Sequence, residues 1–331
     1  MDCEKIVPMY DLSVIIPVYN AGRYLNETLR AVVMQTIFDK IELIIVNDGS
    51  DDNSMDICEK YADAYSNIVV IDQKNAGVSA ARNAGIKAAT GAYITFLDAD
   101  DYVETNLYER MLKLTQKHSA DVAIVNFLKV HPDGEAKQYR NAEDVRQWTD
   151  PKAIMQAFFS GVIGNQVVDK IFSRDVIAEI QFPIGYKIGE DMFFVYRAIR
   201  NARKIIYDTE ICGYHYIVRQ DSAMTGQFTE KFFDPVKLSE MMCDDYVDDK
   251  EVFAYAKAHL IHEICKSLEY TYRHGAENTY SLNVANMRKT LNGYSITYAK
   301  KHLIRRQFYG FVLMRISPRL YLLIHKIMQI G

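Results

Sequence analysis

The chain has 331 residues, of which 49% are hydrophobic and 25% charged, and its formal net charge is −4. These are the proportions of an ordinary soluble globular protein with enough residues for one large or two small domains. It contains no run of 18 or more uncharged apolar residues, so no membrane-spanning helix is expected. Residues 1–11 carry acids and no long apolar core, so no secretory signal is expected, and the predicted location is cytoplasmic.

The cysteine usage indicates a reducing compartment. An odd number of scattered cysteines without a CxxC pair fits neither a disulfide framework nor a zinc site, and buried free thiols are expected. The five positions are Cys3, Cys58, Cys212, Cys243 and Cys265.

The first hundred residues alternate continuous apolar runs with segments of helical periodicity. This alternation favours an α/β fold with a parallel sheet covered by helices on both faces. The predicted strands are 12–17, 43–46, 68–71 and 93–97, and the predicted helices are 24–35, 55–65 and 78–89. Further along the chain, the predicted elements are a strand over 122–130, a turn at 132–134, a helix over 153–159, a loop over 161–164 and a helical region over 231–275.

Polar residues follow three of the predicted strands. They are Tyr19-Asn20 after the first, residues 47–50 after the second, and Asp98-Ala99-Asp100-Asp101 after the fourth. In open α/β sheets, ligands bind beyond the carboxyl ends of the strands, so these groups point to one binding edge.

Several common nucleotide and hydrolase motifs are absent. The chain has no G-x-G-x-x-G after the first strand and no G-x-x-x-x-G-K-[ST], which argues against a dinucleotide-binding Rossmann domain and a P-loop. It also lacks G-x-S-x-G and H-E-x-x-H, which argues against two common hydrolase designs.

The carboxylates at the strand ends are the strongest chemical signal. Asp98 and Asp100 can hold one Mg²⁺ or Mn²⁺, since hard cations take carboxylate oxygens and leave positions for phosphate. A turn or a helix cap is the alternative for an isolated D-x-D, but the position directly after an apolar strand, beside Asp101, favours the metal. Asp48 can accept the imide N–H of uracil, or cap the helix that begins near 51–53; both roles are compatible if Ser50 or Asp52 caps.

In combination, these motifs resemble the family 2 glycosyltransferases of the bacterial surface-polysaccharide type. The resemblance covers about residues 11–225, and one small departure is Asp51, where many relatives carry Thr. The segments that carry it are VIIPVYN (14–20), VNDGSDDNS (46–54), NAGVSAARNAGI (75–86), FLDADD (96–101), VVDKIFSRDVI (167–177), GEDMFF (189–194) and YHYIVRQDSAM (214–224).

The resemblance implies a GT-A-type domain over 1–225, with a nucleotide-binding half (about 1–110) and an acceptor half (about 111–225). A mainly helical region with a basic amphipathic tail, 226–331, follows. It implies an inverting, metal-dependent hexosyltransferase that uses Mn²⁺ or Mg²⁺ and moves a sugar from a UDP-sugar to a hydroxyl of a glycan or lipid-linked oligosaccharide. The implied nucleotide-binding residues are Pro17, Tyr19, Asp48, Asn75, Arg82, Asp98 and Arg219.

The resemblance also assigns the chemistry. Asp191, with Glu190 beside it, is the base that deprotonates the acceptor hydroxyl. Asp100 is the main metal ligand, with Asp98 and with His215 as a further candidate. The alternatives are first-turn acids favoured by the helix dipole for Glu190-Asp191, a partly buried histidine with satisfied hydrogen bonds for His215, and a helix-surface charge for Arg82.

The C-terminal segment is basic. From Asn278 onward the chain has no Asp or Glu, while nine Lys and Arg residues occur there. Apolar residues at helical spacing after Ala299, and Ser317-Pro318 as the start of a second helix, predict an interfacial tail on the inner face of the cell membrane. The alternative is that these helices pack on the catalytic domain or on a second copy of the chain. No nucleic-acid partner is expected.

Two rival functions are considered. A sugar-nucleotide pyrophosphorylase would carry a Gly-rich phosphate loop directly after the first strand, where this chain has VYNAGRYLN. A non-catalytic sugar-nucleotide-binding or scaffold protein on the same fold would be expected to lack Asp100 or Asp191, and both are present.

Overall fold

A computed structural model describes residues 9–140, 144–219 and 228–329. Its strands are β1 (Leu12–Val18), β2 (Ile41–Asn47), β3 (Ile68–Asp72), β4 (Tyr93–Phe96), β5 (Tyr102–Val103), β6 (Val122–Val130), β7 (Ala136–Gln138), β8 (Val145–Trp148), β9 (Lys170–Ser173) and β10 (Ile205–Ile217). These form one mixed sheet in the order β3-β2-β1-β4-β9-β6-β10-β5, with β7 paired to β6 and β8 to β10.

The helices alternate with the strands in the first half and dominate the second. They are α1 (Leu25–Val33), α2 (Ser54–Ala64), α3 (Val78–Ala88), α4 (Leu107–His118), α5 (Pro151–Phe159), α6 (Arg174–Ile177), α7 (Glu190–Asn201), α8 (Asp234–Asp244), α9 (Lys250–Arg273), α10 (Ser281–Asn292), α11 (Ile296–His302), α12 (Arg305–Ile316) and α13 (Pro318–Gln329). The predicted α/β class and the predicted elements of the first hundred residues are confirmed, with boundaries that shift by one or two residues.

The apolar runs of β1 and β2 form inner strands of the sheet. Every residue of β2 is buried, and β1 is buried except for a partly exposed Pro17. Burial of each Val, Ile or Leu side chain stabilises the fold by about 1.5–3 kcal/mol. The predominantly apolar sequence of these strands and the burial of successive residues therefore reflect a sheet covered on both faces.

Strand direction gathers the polar residues at one edge. The first four strands are parallel to one another. β9 runs antiparallel to both β4 and β6, and β10 runs parallel to β6, so β6 and β10 share the direction of β1. The carboxyl ends of β1, β2, β4 and β10 therefore face the same way.

The chain divides into two compact units. One comprises Met1–Ile154, Asn165–Ile184 and Asp191–Ser222, and contains the sheet. The other, here called the helical unit, comprises Met155–Gly164, Gly185–Glu190 and Ala223–Gly331. The sequence did not predict that Met155–Gly164 and Gly185–Glu190 belong to the helical unit, because their contacts are with residues distant in sequence.

The C-terminal helices follow the predicted pattern. The Ser317 hydroxyl accepts a hydrogen bond from the Leu320 N–H at 3.3 Å, at the start of α13, where Pro318 occupies the first helical position. Among the described residues, no helix combines the length and apolar character needed to cross a bilayer.

Cys58, Cys243 and Cys265 are buried free thiols as predicted, Cys212 is partly buried and free, and Cys3 lies outside the described residues.

Candidate active site

Asp48 organises the loop that follows β3. Its carboxylate accepts hydrogen bonds from the Gln73 side chain at 2.7 Å and from the backbone N–H groups of Ala76 and Gly77 at 2.9 and 2.8 Å. A carboxylate offers about four acceptor positions, so one remains for a ligand donor. Gly49 has a φ of +70°, and a Cβ there would lie 2.7 Å from the Asn75 nitrogen, so this close approach requires glycine.

Asp52, rather than Asp48, holds the start of α2. It accepts from the Ser54 N–H at 3.0 Å and from the Gly22 N–H at 2.9 Å. Because Asp52 holds the helix start, Asp48 remains available for the predicted contact with uracil. That contact stays a prediction.

The turn after β4 is anchored from two sides. The Thr28 hydroxyl of α1 lies within hydrogen-bond distance of the carbonyls of Ala99 (3.0 Å) and Asp101 (2.9 Å). Asp101 accepts from the Tyr214 hydroxyl at 2.5 Å and from the Ile217 N–H at 2.8 Å, both on β10. Burial raises the pKa of Asp101 well above its usual value. This buried carboxyl therefore fixes the turn and leaves Asp98 and Asp100, which are 31% and 40% exposed, at the surface.

Arg82 joins two of the predicted site carboxylates. It lies on α3 with its side chain only 4% exposed, and donates to Asp191 at 2.6 Å and to Asp98 at 3.0 Å. A helix-surface charge is therefore excluded. Arg82 brings together the turn after β4 and the first turn of α7, which are more than ninety residues apart in sequence.

The environment of Asp191 suits a proton acceptor. Burial raises the pKa of this carboxyl, an effect that Arg82 and Lys170 oppose and that Asp98 and Asp169 reinforce. Its side chain remains 29% exposed. A base whose pKa is moved toward the working pH takes a proton more effectively than an ordinary aspartate.

A buried ion cluster lies behind this edge. The Lys170 ammonium donates to Asp169 and to the Gln166 carbonyl, each at 2.6 Å. Arg140 donates to the other Asp169 oxygen at 3.1 Å and to the Val125 carbonyl at 2.9 Å. Lys170 and Asp169 are fully buried, so each charge needs the other, and removal of one partner would leave an uncompensated charge.

Arg219 follows β10 and covers Asp100. Its Nε donates to the Asp100 carboxylate at 2.8 Å, its terminal nitrogen donates to the Asp100 carbonyl at 2.6 Å, and its guanidinium stacks 3.5 Å from the centroid of the Tyr24 ring. These residues line a cavity of about 440 Å³. A guanidinium beside an open cavity is suited to bind phosphate, because its fixed fork of donors matches the phosphate oxygens.

The remaining predicted residues occupy different surroundings. Tyr19 is 52% exposed, and Pro17 is partly exposed. Asn75 is exposed in the loop that Asp48 holds. His215 lies 3.3 Å from the Glu104 carboxylate and packs edge-to-face on Tyr102, as a partly buried histidine with a satisfied ring nitrogen would. Its role as a metal ligand stays a prediction.

The carboxylates fit one kind of metal site. Among the described residues, no cluster of three or more His, Cys, Asp or Glu side chains is arranged to hold a cation. Mg²⁺ is commonly bound by only one or two carboxylates, with phosphate and water completing the shell. Asp98 and Asp100 provide two carboxylates. Asp98 forms an ion pair with Arg82, and Asp100 forms one with Arg219. The residues therefore fit a metal that arrives with a phosphorylated ligand.

Comparison with known proteins assigns the family. A family model described as glycosyl transferase family 2 matches residues 13–180. The chain belongs to this family. Members with similar sequences include the minor teichoic acid biosynthesis protein GgaB of Bacillus subtilis, 36% identical over 66% of this chain and 24% of its own length. An uncharacterized glycosyltransferase of Escherichia coli, YibD, is 45% identical over 64% of this chain and 62% of its own length.

The fold is also that of a solved protein. Staphylococcus aureus TarS 1–349, crystallised in complex with UDP-GlcNAc, superimposes with a TM-score of 0.72 at 19% identity, over 94% of this chain and 89% of that structure. This likeness confirms the GT-A-type sheet and the helical C-terminal region. The matched segment spans between about a quarter and two thirds of the length of the first curated relatives.

Some residues of the site were not found by sequence reasoning. Tyr214 and Arg140 act through long-range hydrogen bonds that no local spacing indicates. Gln73 was missed for the same reason. The pairing of Arg82 with Asp191 could not be predicted either, because it depends on how α3 and α7 meet at the sheet edge.

Proposed function

We propose that this chain is an inverting glycosyltransferase that moves a sugar from a UDP-sugar onto a hydroxyl acceptor. The observation that carries the proposal is the Arg82 bridge, which holds Asp191 and Asp98 at one sheet edge. An acid with a raised pKa beside two surface carboxylates is the arrangement needed for a base next to a phosphate leaving group.

The roles of the residues follow from their positions. Asp48 accepts the imide N–H of uracil through its remaining acceptor position, and Tyr19, Pro17 and Asn75 frame the base. Arg219 leaves Asp100 and turns its donors to the pyrophosphate. Asp191 takes the proton of the acceptor hydroxyl as its oxygen attacks the anomeric carbon, and UDP departs. A single displacement needs no second carboxylate as nucleophile, so the configuration inverts.

Mg²⁺ or Mn²⁺ would be held by Asp100 and Asp98, and would supply charge neutralisation for the leaving pyrophosphate. The structure of TarS with UDP-GlcNAc supports a UDP-sugar as donor. The similarity to GgaB, named for teichoic acid biosynthesis, supports an acceptor in surface-polysaccharide synthesis, either a glycan or a lipid-linked oligosaccharide. Release of UDP from a panel of UDP-sugars tests the proposal.

The C-terminal helices support a peripheral membrane contact. Two residues of the predicted apolar face, Leu303 and Phe311, are buried, and so is the neighbouring Met314. Other apolar residues remain exposed: Ile304, Tyr309, Ile316, Leu320 and Leu323. Arg305 and Arg306 lie in the first turn of α12, and Lys300 and Lys301 lie on the preceding helix, α11. Each cation near an anionic surface contributes about 1 kcal/mol, so this combination suits an anionic bilayer.

Flotation with liposomes tests this contact. Truncation before Ala299 would remove the buried Phe311 and Met314, so substitution is the sharper experiment. The triple variant Ile316→Ser, Leu320→Ser, Leu323→Ser should lose most binding to phosphatidylglycerol vesicles while it keeps UDP binding. Leu282→Ser, on α10 and 72% exposed, is the matched control and should float like the wild type.

Salt should weaken the binding, because the attraction of the basic residues is screened. If the wild-type chain does not bind anionic vesicles, or if Leu282→Ser loses as much binding as the triple variant, the proposed membrane contact of the tail is wrong. A change in oligomeric state in the triple variant would assign these residues to a contact between two copies of the chain.

A further inference from the structure

Tyr24 is a half-buried residue of the cavity beside Asp100, and the proposed mechanism assigns no role to it. It immediately precedes α1 and lines this cavity together with Asp100 and Arg219. The guanidinium carbon of Arg219 lies 3.5 Å from the centroid of the Tyr24 ring. At this distance the guanidinium is stacked on the face of the ring, where the π electrons attract the cation.

The first turn of α1 fixes the position of this ring. The Tyr24 carbonyl accepts a hydrogen bond from the Thr28 N–H at 3.3 Å. The Thr28 hydroxyl lies within hydrogen-bond distance of the carbonyls of Ala99 and Asp101. These two residues flank Asp100 in the turn after β4. One helical turn therefore supports both the ring that carries the guanidinium and the turn that carries Asp100.

The stacked guanidinium is only partly engaged in hydrogen bonds. Its Nε donates to the Asp100 carboxylate and one terminal nitrogen donates to the Asp100 carbonyl, while the other terminal nitrogen has no partner in the part of the chain that the structure describes. The Arg219 side chain is 24% exposed. Arginine has five N–H donors in a rigid fork, so donors remain for a phosphate oxygen. Because a stacked guanidinium can turn in its own plane, it can exchange Asp100 for phosphate and keep its contact with Tyr24.

We infer that Tyr24 is a positioning residue that holds the Arg219 guanidinium at the pyrophosphate of the donor when its hydrogen bonds to Asp100 are exchanged. Without the ring, the long Arg219 side chain would have no contact common to both states, and its ordering would oppose binding. The ring alone is required, since the Tyr24 hydroxyl forms no hydrogen bond within the described residues. The inference rests on the proposed function, because it takes UDP as the ligand.

Calorimetry of UDP binding to the full chain in the presence of Mn²⁺ tests the inference. Tyr24→Leu should weaken UDP binding about five- to thirtyfold, the value of a partly desolvated cation–π contact. Tyr24→Phe keeps the ring and should bind UDP within about twofold of the wild type. Tyr65→Leu removes an exposed tyrosine ring that follows α2, outside the cavity, and should leave the affinity unchanged. Equal losses in Tyr24→Phe and Tyr24→Leu would overturn the inference.

A double-mutant cycle separates an action through Arg219 from a general effect on α1. In an Arg219→Gln background, Tyr24→Leu should weaken UDP binding less than about twofold further, because the contact that it removes is already absent. Equal weakening by Tyr24→Leu in both backgrounds would show that the ring supports α1 and does not act through Arg219. That result would overturn the inference.

Fragments of the ligand locate the effect. Inorganic pyrophosphate carries the phosphates alone, and uridine carries the base and the ribose alone. Tyr24→Leu should weaken pyrophosphate binding by the same factor as UDP binding and leave uridine binding unchanged. A loss of uridine binding in this variant would overturn the inference.

The same measurements distinguish this inference from the proposed function. If the wild type binds UDP and Tyr24→Leu binds it equally well, the inference fails while the donor assignment stands. Pyrophosphate binding with the expected pattern in a chain that binds no uridine would support the role of Tyr24 and reject a uridine nucleotide as donor. A chain that binds neither UDP nor pyrophosphate would overturn both.

Discussion

Replacement of Asp191 by Asn should reduce turnover about 10²–10⁴-fold, the usual contribution of a general base. Asparagine keeps the shape of the side chain and a carbonyl oxygen that can accept from Arg82, so the bridge to Asp98 should persist. UDP affinity should therefore barely change. Steady-state kinetics with the acceptor, together with calorimetry of UDP binding, separates the two effects.

Glu190→Gln is the matched control, because it neutralises the neighbouring acid at the start of the same helix. It should retain activity within about tenfold of the wild type, since it leaves the proton acceptor, Asp191, in place. Full activity in Asp191→Asn, combined with a large loss in Glu190→Gln, would transfer the role of base to Glu190.

The pH dependence of the activity provides an independent test of Asp191 as the general base. Asp191 must be deprotonated to accept a proton, and burial raises its pKa. Activity should therefore fall as the pH decreases through that raised pKa, and the acid limb of kcat/KM should lie above the range of an ordinary aspartate, near 4. This limb should disappear in Asp191→Asn.

Removal of the metal should abolish transfer, and Mn²⁺ or Mg²⁺ should restore it after EDTA treatment. The physical reason is that the pyrophosphate of UDP leaves with developing charge that two arginines alone do not neutralise. Asp100→Ala should weaken UDP binding chiefly when metal is present. Because Arg219 occupies Asp100 in the ligand-free protein, metal without UDP should bind weakly.

Asp48→Ala is the control for this experiment. Its carboxylate is bound to the loop after β3 and is assigned to the base, so this variant should lose UDP affinity with and without metal. Equal UDP affinity of the wild type in EDTA and in Mn²⁺ would contradict the assignment of Asp98 and Asp100 as ligands of a required cation.

The parts of the site that could be predicted share a physical origin. Apolar runs indicate the strands of the sheet, and parallel strands have their carboxyl ends at the same edge. The sequence therefore predicts that Asp48, Asp98 and Asp100 lie at one edge. The two-residue strand β5 and the antiparallel β9 were not predicted, since their pairing is decided by neighbours far along the chain.

The same limit applies to side chains. The burial of Arg82 and its bridge to Asp191 depend on tertiary packing, and a helical arginine has no local signal for such a role. Asp101 was seen as an acid beside the metal site, but its function as an anchor for Tyr214 and Ile217 follows only from the position of β10.

The central claim is that this chain transfers sugar from a UDP-sugar, and release of UDP tests it most directly. The purified chain should be incubated with each of a panel of UDP-sugars and Mn²⁺, with and without a glycan acceptor. We expect UDP release from one or a few donors, increased by a suitable acceptor and strongly reduced in Asp191→Asn. Absence of UDP release and of UDP binding across the whole panel would contradict the account.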